Sequence, residues 1–383
     1  MKGSGKPYTK IRVIVLLAAV CVLLTVPAGT SFSFHGTDSR REELSAETVP
    51  QEETAEGGEA AAQPDAENAA DEKQSPLHSI VLKTEDNARE RIKVLHLSRT
   101  AAEYSDVIAV RSCLQELDAD ALVPDPGSRK SGARDASKNG GSPVFWLRTL
   151  GDYTLTEDDE NRISDMLEAV YSSGYSMGFV LLDIRSGKGL CYNSRYAYYS
   201  ASSAKASFVV SLAMNRPEII RDCADDMEGI TVYSDNEIYA VMQEIYGLDY
   251  YEDFAASVGV HPDLSDGGYA FFTAEDLARL WLGNYLYFSS GKEGRIVGSW
   301  FENPEESSVN DVLGKKYRTR TKAGWIDLYG DYCVTVDAGI VYAGGDPYII
   351  VLMSDFPSSL QSLNEAVKAL DKVHEGMTEK QKG

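Results

Sequence analysis

The stretch Tyr199-Ser200-Ala201-Ser202-Ser203-Ala204-Lys205-Ala206-Ser207-Phe208 sets a serine and a lysine three residues apart at the start of an apolar run that reaches Met214. Residues at that spacing share one face of a helix, so the amine can reach the hydroxyl. A serine alkoxide is scarcely populated at neutral pH, and a lysine can take the proton once burial has disfavoured its own charged form. A helix N-terminus adds a partial positive charge and backbone N–H groups that face an oxyanion. The chemistry indicated is nucleophilic catalysis, with Ser202 as the nucleophile and Lys205 as its base. The spacing is permissive by itself, because Ser289-Ser290-Gly291-Lys292 satisfies it in a stretch that reads as a loop.

Two further polar clusters follow in order. Ser234-Asp235-Asn236 comes after Tyr233 and before a helical run, and Lys322-Ala323-Gly324 lies on an expected strand. Each has a structural explanation of its own: a polar turn with a helix cap, and a strand lysine before a glycine. Taken together, two lysines flanking two serines put positive charge where a carboxylate and an oxyanion must bind, and supply two routes for protons.

The ordered set Ser202-x-x-Lys205, Ser234-Asp235-Asn236 and Lys322-x-Gly324 resembles that of the active-site-serine β-lactamases and penicillin-binding proteins, the class A β-lactamases most of all, from about Thr156 to Val373. The resemblance implies that Ser202 attacks an amide carbonyl to form an acyl-enzyme, with Lys205 as proton acceptor or relay and Ser234 passing the proton to the leaving nitrogen. It implies that Asn236 orients the substrate amide, that Lys322 holds a substrate carboxylate, and that Gly324 admits close approach of substrate. The oxyanion would lie between the backbone N–H groups of Ser202 and Trp325, and Asp235 would brace the loop. The substrate implied is a β-lactam or related amide, or a D-alanyl peptidoglycan stem cleaved by D,D-carboxypeptidase chemistry. A non-catalytic wall-binding or sensory module that keeps the fold is the reading from another class.

The pattern departs from the family at three places. The family's long loop carrying a deacylating glutamate is reduced to His261-Pro262-Asp263-Leu264-Ser265-Asp266-Gly267-Gly268-Tyr269, which has no glutamate, so the usual base has no counterpart; Asp263 and His261 are the alternatives within a turn that needs no catalytic explanation. Ala323 occupies the position of a common threonine or serine, which leaves Lys322 and Thr321 to bind a carboxylate. The interval from Ser202 to Ser234 is short, which implies a reduced helical lobe.

The elements that must position these residues read as an α+β domain over residues 151–376. Thr156-Glu157-Asp158-Asp159 caps a first helix, and Met177 to Asp183 and Leu190 to Tyr192 form a hairpin. Helices follow to Thr273-Ala274-Glu275-Asp276 and beyond, and three strands (Arg318 to Trp325, Val334 to Tyr342, Tyr348 to Met353) precede a last helix bearing Leu363, Val367, Leu370 and Val373. Strands at both ends with helices between them predict an antiparallel five-stranded sheet flanked by helices, β-lactamase/D,D-peptidase-like in the light of the resemblance.

Residues 1–30, with Lys2, Lys6, Lys10 and Arg12 ahead of an apolar run from Val13 to Val26, read as a signal peptide or a membrane anchor. Residues 31–76 are an acidic stretch too poor in apolar side chains to fold, and so a disordered tether. Residues 77–123 read as a small subdomain or extension with strands at Ile80-Val81-Leu82 and Val107-Ile108-Ala109-Val110, residues 124–150 as a linker and 377–383 as a tail. This organisation places the domain outside the cytoplasm, secreted or held at the cytoplasmic membrane. With 37 basic against 59 acidic residues and a net charge of −22, nucleic acid is excluded as a partner. No cofactor or metal is expected: five histidines and the scattered Cys21, Cys113, Cys191, Cys223 and Cys333 form no ligand pattern.

Overall fold

The computed structural model describes residues 77–83, 92–98, 104–121, 147–327, 330–357 and 359–379. The expected signal or anchor and the acidic tether lie outside the described residues. Strands β1 (Leu77–Lys83) and β2 (Ile92–Ser98) pair as an antiparallel hairpin.

Helix α1 (Tyr104–Asp120) follows, and it overturns the strand expected at residues 107–110. The β-branched pair Val107-Ile108 mimics a strand locally. Val110, Cys113, Leu114 and Leu117, however, recur at helical spacing and are all buried in the core that also holds Ile184 and Leu286.

The main sheet is built from β3 (Leu147–Leu150), β4 (Met177–Asp183), β5 (Gly189–Tyr192), β8 (Arg318–Ile326), β9 (Val334–Ala343) and β10 (Asp346–Ser354). It therefore has six strands rather than five, in the order β3-β5-β4-β10-β9-β8, with every neighbour antiparallel. The added edge strand β3 comes from the stretch that reads as linker, where only four residues pair with β5. Such a short run has no periodicity to detect. The β9–β10 hairpin turns through Gly344 and Gly345, at φ 62° and 112°, a positive-φ pair that only glycine adopts readily.

Both faces of the sheet are covered, so β4 is apolar without alternation. Val180 and Leu182 enter one core, and Met177, Phe179 and Leu181 the other. The second core is closed by α2 (Glu157–Ser172), whose N-cap Thr156 accepts the Asp159 amide, and by the C-terminal helix (Asn364–Glu379), with Leu370 and Val373 inward. The first core contains the small helices that carry the site: α3 (Lys205–Asn215), α4 (Ile219–Asp222), α5 (Ala224–Val232), α6 (Asn236–Tyr246) and α7 (Asp249–Ser257). None exceeds 11 residues; α4, α5 and α7 pack on α3, which packs in turn on α8 (Ala274–Ser289), a helix that starts in a complete Thr273/Asp276 capping box. A two-stranded ribbon of β6 (Tyr198–Tyr199) and β7 (Phe271–Phe272) ties the approach to α3 to the approach to α8. Helices α9 (Gly291–Ser299) and α10 (Ser308–Leu313) lead to β8, and the C-terminal helix ends the fold. Among the described residues no helix is long and apolar enough to cross a membrane, and the four described cysteines are free thiols.

A buried charge cluster fastens α1 and β3 to the catalytic half. Arg148 on β3 meets Asp120 of α1 at 2.9 Å and Glu275 of α8 at 3.2 Å. Arg195 meets the same two carboxylates, each at 3.1 Å. Glu275 also accepts from Ser194 at 2.7 Å, and burial raises its pKa.

Candidate active site

Ser202 does not stand in the first turn of an α-helix. It lies in a 3₁₀ turn, Ala201–Ala204, that delivers the chain into α3 at Lys205. From Tyr198 to Met214 every residue is buried except Ser202. The preceding Ala201 is held at φ 44°, a left-handed conformation costing a non-glycine residue about 1–3 kcal/mol that surrounding structure must over-determine. Part of that structure is the ribbon: the Ser200 amide donates to Ala270 O at 2.9 Å, and the Ala270 amide to Ser200 Oγ at 3.3 Å.

Lys205 is fully buried, and its Nζ is turned toward the second cluster. It donates to the backbone carbonyls of Ser234 (2.7 Å) and Asp235 (3.5 Å) and to Asn236 Oδ1. The Tyr239 ring centroid lies 5.2 Å from the same amine. Desolvation lowers the Lys205 pKa to about 8, against a smaller upward pull from Asp235. Asp235 is the N-cap of α6, its carboxylate accepting the amides of Glu237 (2.8 Å) and Ile238 (2.9 Å). Ser234, at φ 57°, is the second left-handed non-glycine residue here.

Lys322 donates from the middle of β8 to Ser234 Oγ at 3.0 Å and to Ala323 O at 3.1 Å. Burial, then repulsion from Lys205, lowers its pKa to about 7, opposed by Asp337 and Glu306. Asp337 is buried on β9, and desolvation pushes it up to about 6 despite hydrogen bonds from Val309 N (2.9 Å) and Ser307 Oγ (2.8 Å). Gly324 closes the arrangement. A Cβ there would strike the backbone amide of Ser202, that of Ser203 at 2.6 Å and Ser200 O at 3.0 Å, so strand and serine turn approach backbone to backbone. Trp325 follows, half-buried, at the end of the strand.

The structure thus brings Ser202, Lys205, Ser234, Asn236, Lys322, Gly324 and Trp325 to one place. It does not bring Thr321. Successive strand side chains point to opposite faces, so Thr321 is turned from Lys322 and is buried against Ser307 Oγ at 2.9 Å. Asp263 and His261 do not enter the site either. Both are exposed, and the Asp263 carboxylate accepts the Ser265 amide at 3.1 Å. The group this loop directs at the cluster is Tyr269, whose hydroxyl lies 3.4 Å from Asn236 Oδ1. Sequence reading missed it because a lone tyrosine after two glycines carries no motif. Among the described residues no group of three or more His, Cys, Asp or Glu side chains could hold a metal ion.

A serine on a strained turn, a desolvated lysine beside it, a second serine bonded to a second lysine and an antiparallel sheet between helices define a serine hydrolase of the β-lactamase type. Residues 220–375 match the family model described as the β-lactamase enzyme family, a span that holds Ser234, Asn236 and Lys322 and begins downstream of Ser202. This match, together with the motifs at the site, supports kinship with the serine β-lactamases and penicillin-binding proteins. Solved structures similar to it include a β-lactamase from Sphaerobacter thermophilus DSM 20745, at 16% identity and TM-score 0.44 over 55% of this chain and 94% of that one. PBP-A matches at 17% identity and TM-score 0.47 over 57% and 96%, and the TLA-3 extended-spectrum β-lactamase at 13% and 0.45 over 56% and 98%. No curated protein matches the chain.

Proposed function

We propose that the domain forms an acyl-enzyme on Ser202 with β-lactams or related amides and releases it slowly. Neutral Lys205 takes the hydroxyl proton as Ser202 Oγ attacks the carbonyl carbon. The tetrahedral oxyanion is met by the N–H groups of Ser202 and Trp325, the C–N bond breaks, and Ser234 protonates the leaving nitrogen as the proton held by Lys205 is passed on. Lys322, charged, binds the substrate carboxylate, and Asn236 orients the amide. The observation that carries this reading is the pair of buried amines that meet at Ser234, Lys205 on its carbonyl and Lys322 on its hydroxyl, beside the one residue of the serine turn that is not buried.

Slow release is supported by the short loop, which offers the site a phenol rather than a carboxylate. Burial, with Asp266 nearby, pushes the Tyr269 pKa up to about 12, so at neutral pH it donates a hydrogen bond and does not abstract a proton from water. The same feature favours a second reading, a D,D-carboxypeptidase acting on D-alanyl peptidoglycan stems. The basic and apolar N-terminal stretch supports export, with the domain secreted or held at the cytoplasmic membrane near that substrate.

Intact-mass spectrometry after incubation with benzylpenicillin tests the proposal. A persistent adduct absent from Ser202→Ala is expected. Fast turnover without a trapped adduct would point to a hydrolase with another base, and inertness toward every β-lactam tried to a non-catalytic module.

A further inference from the structure

Tyr199 stands three residues before Ser202, and its cross-strand partner in the β6–β7 ribbon is Phe271. The two rings meet with centroids 5.4 Å apart. Tyr332, from the 3₁₀ turn Gly330–Tyr332, lies 4.9 Å from Tyr199 and 5.6 Å from Phe271, and Tyr269 lies 6.2 Å from Tyr199. Tyr199, Phe271 and Tyr332 thus touch one another pairwise and Tyr269 continues from Tyr199, a continuous row with three rings clustered at its outer end. If the row were only core, its outer members would be covered, yet Phe271 and Tyr332 are each 43% exposed.

The inner end of the row touches the polar site. Asn236 Oδ1 already accepts from Lys205, so the Tyr269 hydroxyl 3.4 Å away is a second donor to the same oxygen. Two donors fix the amide with Oδ1 inward and its NH₂ turned away from Lys205. The row is also coupled to the nucleophile, because the ribbon that presents Tyr199 and Phe271 is bonded through Ser200 to Ala270. Tyr199 donates to Asp266 at 2.9 Å, which leaves a carboxylate beside the row.

We infer that Tyr199, Tyr269, Phe271 and Tyr332 form a subsite for an aromatic, non-anionic substituent on the acyl side of the amide cleaved at Ser202, a specificity that rests on the acyl-transfer reading above. Exposed ring faces and edges give a planar apolar group offset-stacked and edge-to-face partners that aliphatic side chains do not. The Asp266 carboxylate disfavours a substituent that carries negative charge.

The test compares second-order acylation rate constants of the full chain for benzylpenicillin, its α-carboxylated analogue and 6-aminopenicillanic acid, in wild type and Phe271→Ala/Tyr332→Ala. Wild type should prefer the benzyl compound over the bare nucleus by about 10- to 100-fold and over the carboxylated analogue by a smaller factor, and in the double variant the first ratio should fall to near one. A ratio unchanged by the substitutions, or equal losses for all compounds, would overturn the subsite. Tyr332→Ala alone, on an exposed turn, covers the case in which the double variant fails to fold. If none of the compounds labels Ser202, the acyl-transfer reading fails by itself, and the row is then judged by saturation-transfer NMR with phenylacetylglycine. Saturation transfer to the phenyl protons that disappears in Tyr332→Ala upholds an aromatic site, and no transfer from the wild type refutes it.

Discussion

The pH dependence of acylation should be set by the two buried amines and their surroundings. Acylation needs Lys205 neutral and Lys322 charged, and burial places their pKa values at about 8 and about 7. The order is reversed from the convenient one. At about pH 7.5 each group is roughly half a unit on the wrong side, so about a quarter of molecules have each correct state and roughly one in twenty has both. The second-order rate constant should therefore be a narrow bell with its maximum between about pH 7 and 8, rising about tenfold per unit below it and falling about tenfold per unit above it. The two limbs belong to the coupled pair rather than to either lysine alone. A bound carboxylate favours the charged form of Lys322, so the rate constant at saturating substrate should lose its alkaline limb and keep the rise set by Lys205. Stopped-flow acylation with a chromogenic cephalosporin from about pH 5.5 to 9.5 measures both constants. Lys322→Arg, which stays charged, should lose the alkaline limb even in the second-order constant. A second-order profile flat from about pH 6 to 9, or an alkaline limb that survives in Lys322→Arg, would refute the reasoning.

Other expectations follow from single contacts. Asp337 holds the Lys322 pKa up, so Asp337→Asn should move the alkaline limb to lower pH, read from the same profiles. Gly324→Ala puts a methyl group into the backbone of the serine turn, which cannot yield as a flexible side chain would, so labelling by penicillin should fall at least about 100-fold while circular dichroism still reports a folded protein. Arg148→Ala leaves the Asp120 and Glu275 carboxylates buried with one guanidinium fewer, and urea unfolding should show a loss of about 3–5 kcal/mol. Folded-state penalties on the lysines also make stability pH-dependent. Both folded pKa values are below the ordinary lysine value, so the penalty is fully present below about pH 7 and is relieved as pH rises through about 7 to 10.5, where the unfolded chain binds more protons. Chemical denaturation of the wild type at about pH 6.5 and 9.5 should show the higher stability at the higher pH.

Wherever a residue's role depends on its near neighbours in the chain, it is legible from the residues alone. The capping patterns at Thr156 and Thr273 set helix starts because a side chain satisfies amides two or three residues on, and Asp235 announced α6 in the same way. The motif order named the chemistry. Gly344 and Gly345 supply locally the positive φ that the β9–β10 turn needs. Relations across long separations are settled by packing instead. Val107 to Val110 became helix because α1 had a core to pack against, and four residues at Leu147–Leu150 became strand because β5 had a free edge. Lys205 turned toward Asn236, and Thr321 away from Lys322, because side-chain direction follows the frame each element is packed into. The lysine pKa values, the placing of the Tyr269 hydroxyl and the row of rings arise from burial and proximity between segments dozens of residues apart. Desolvation and through-space contact are properties of the folded arrangement, and no local pattern of residues encodes them.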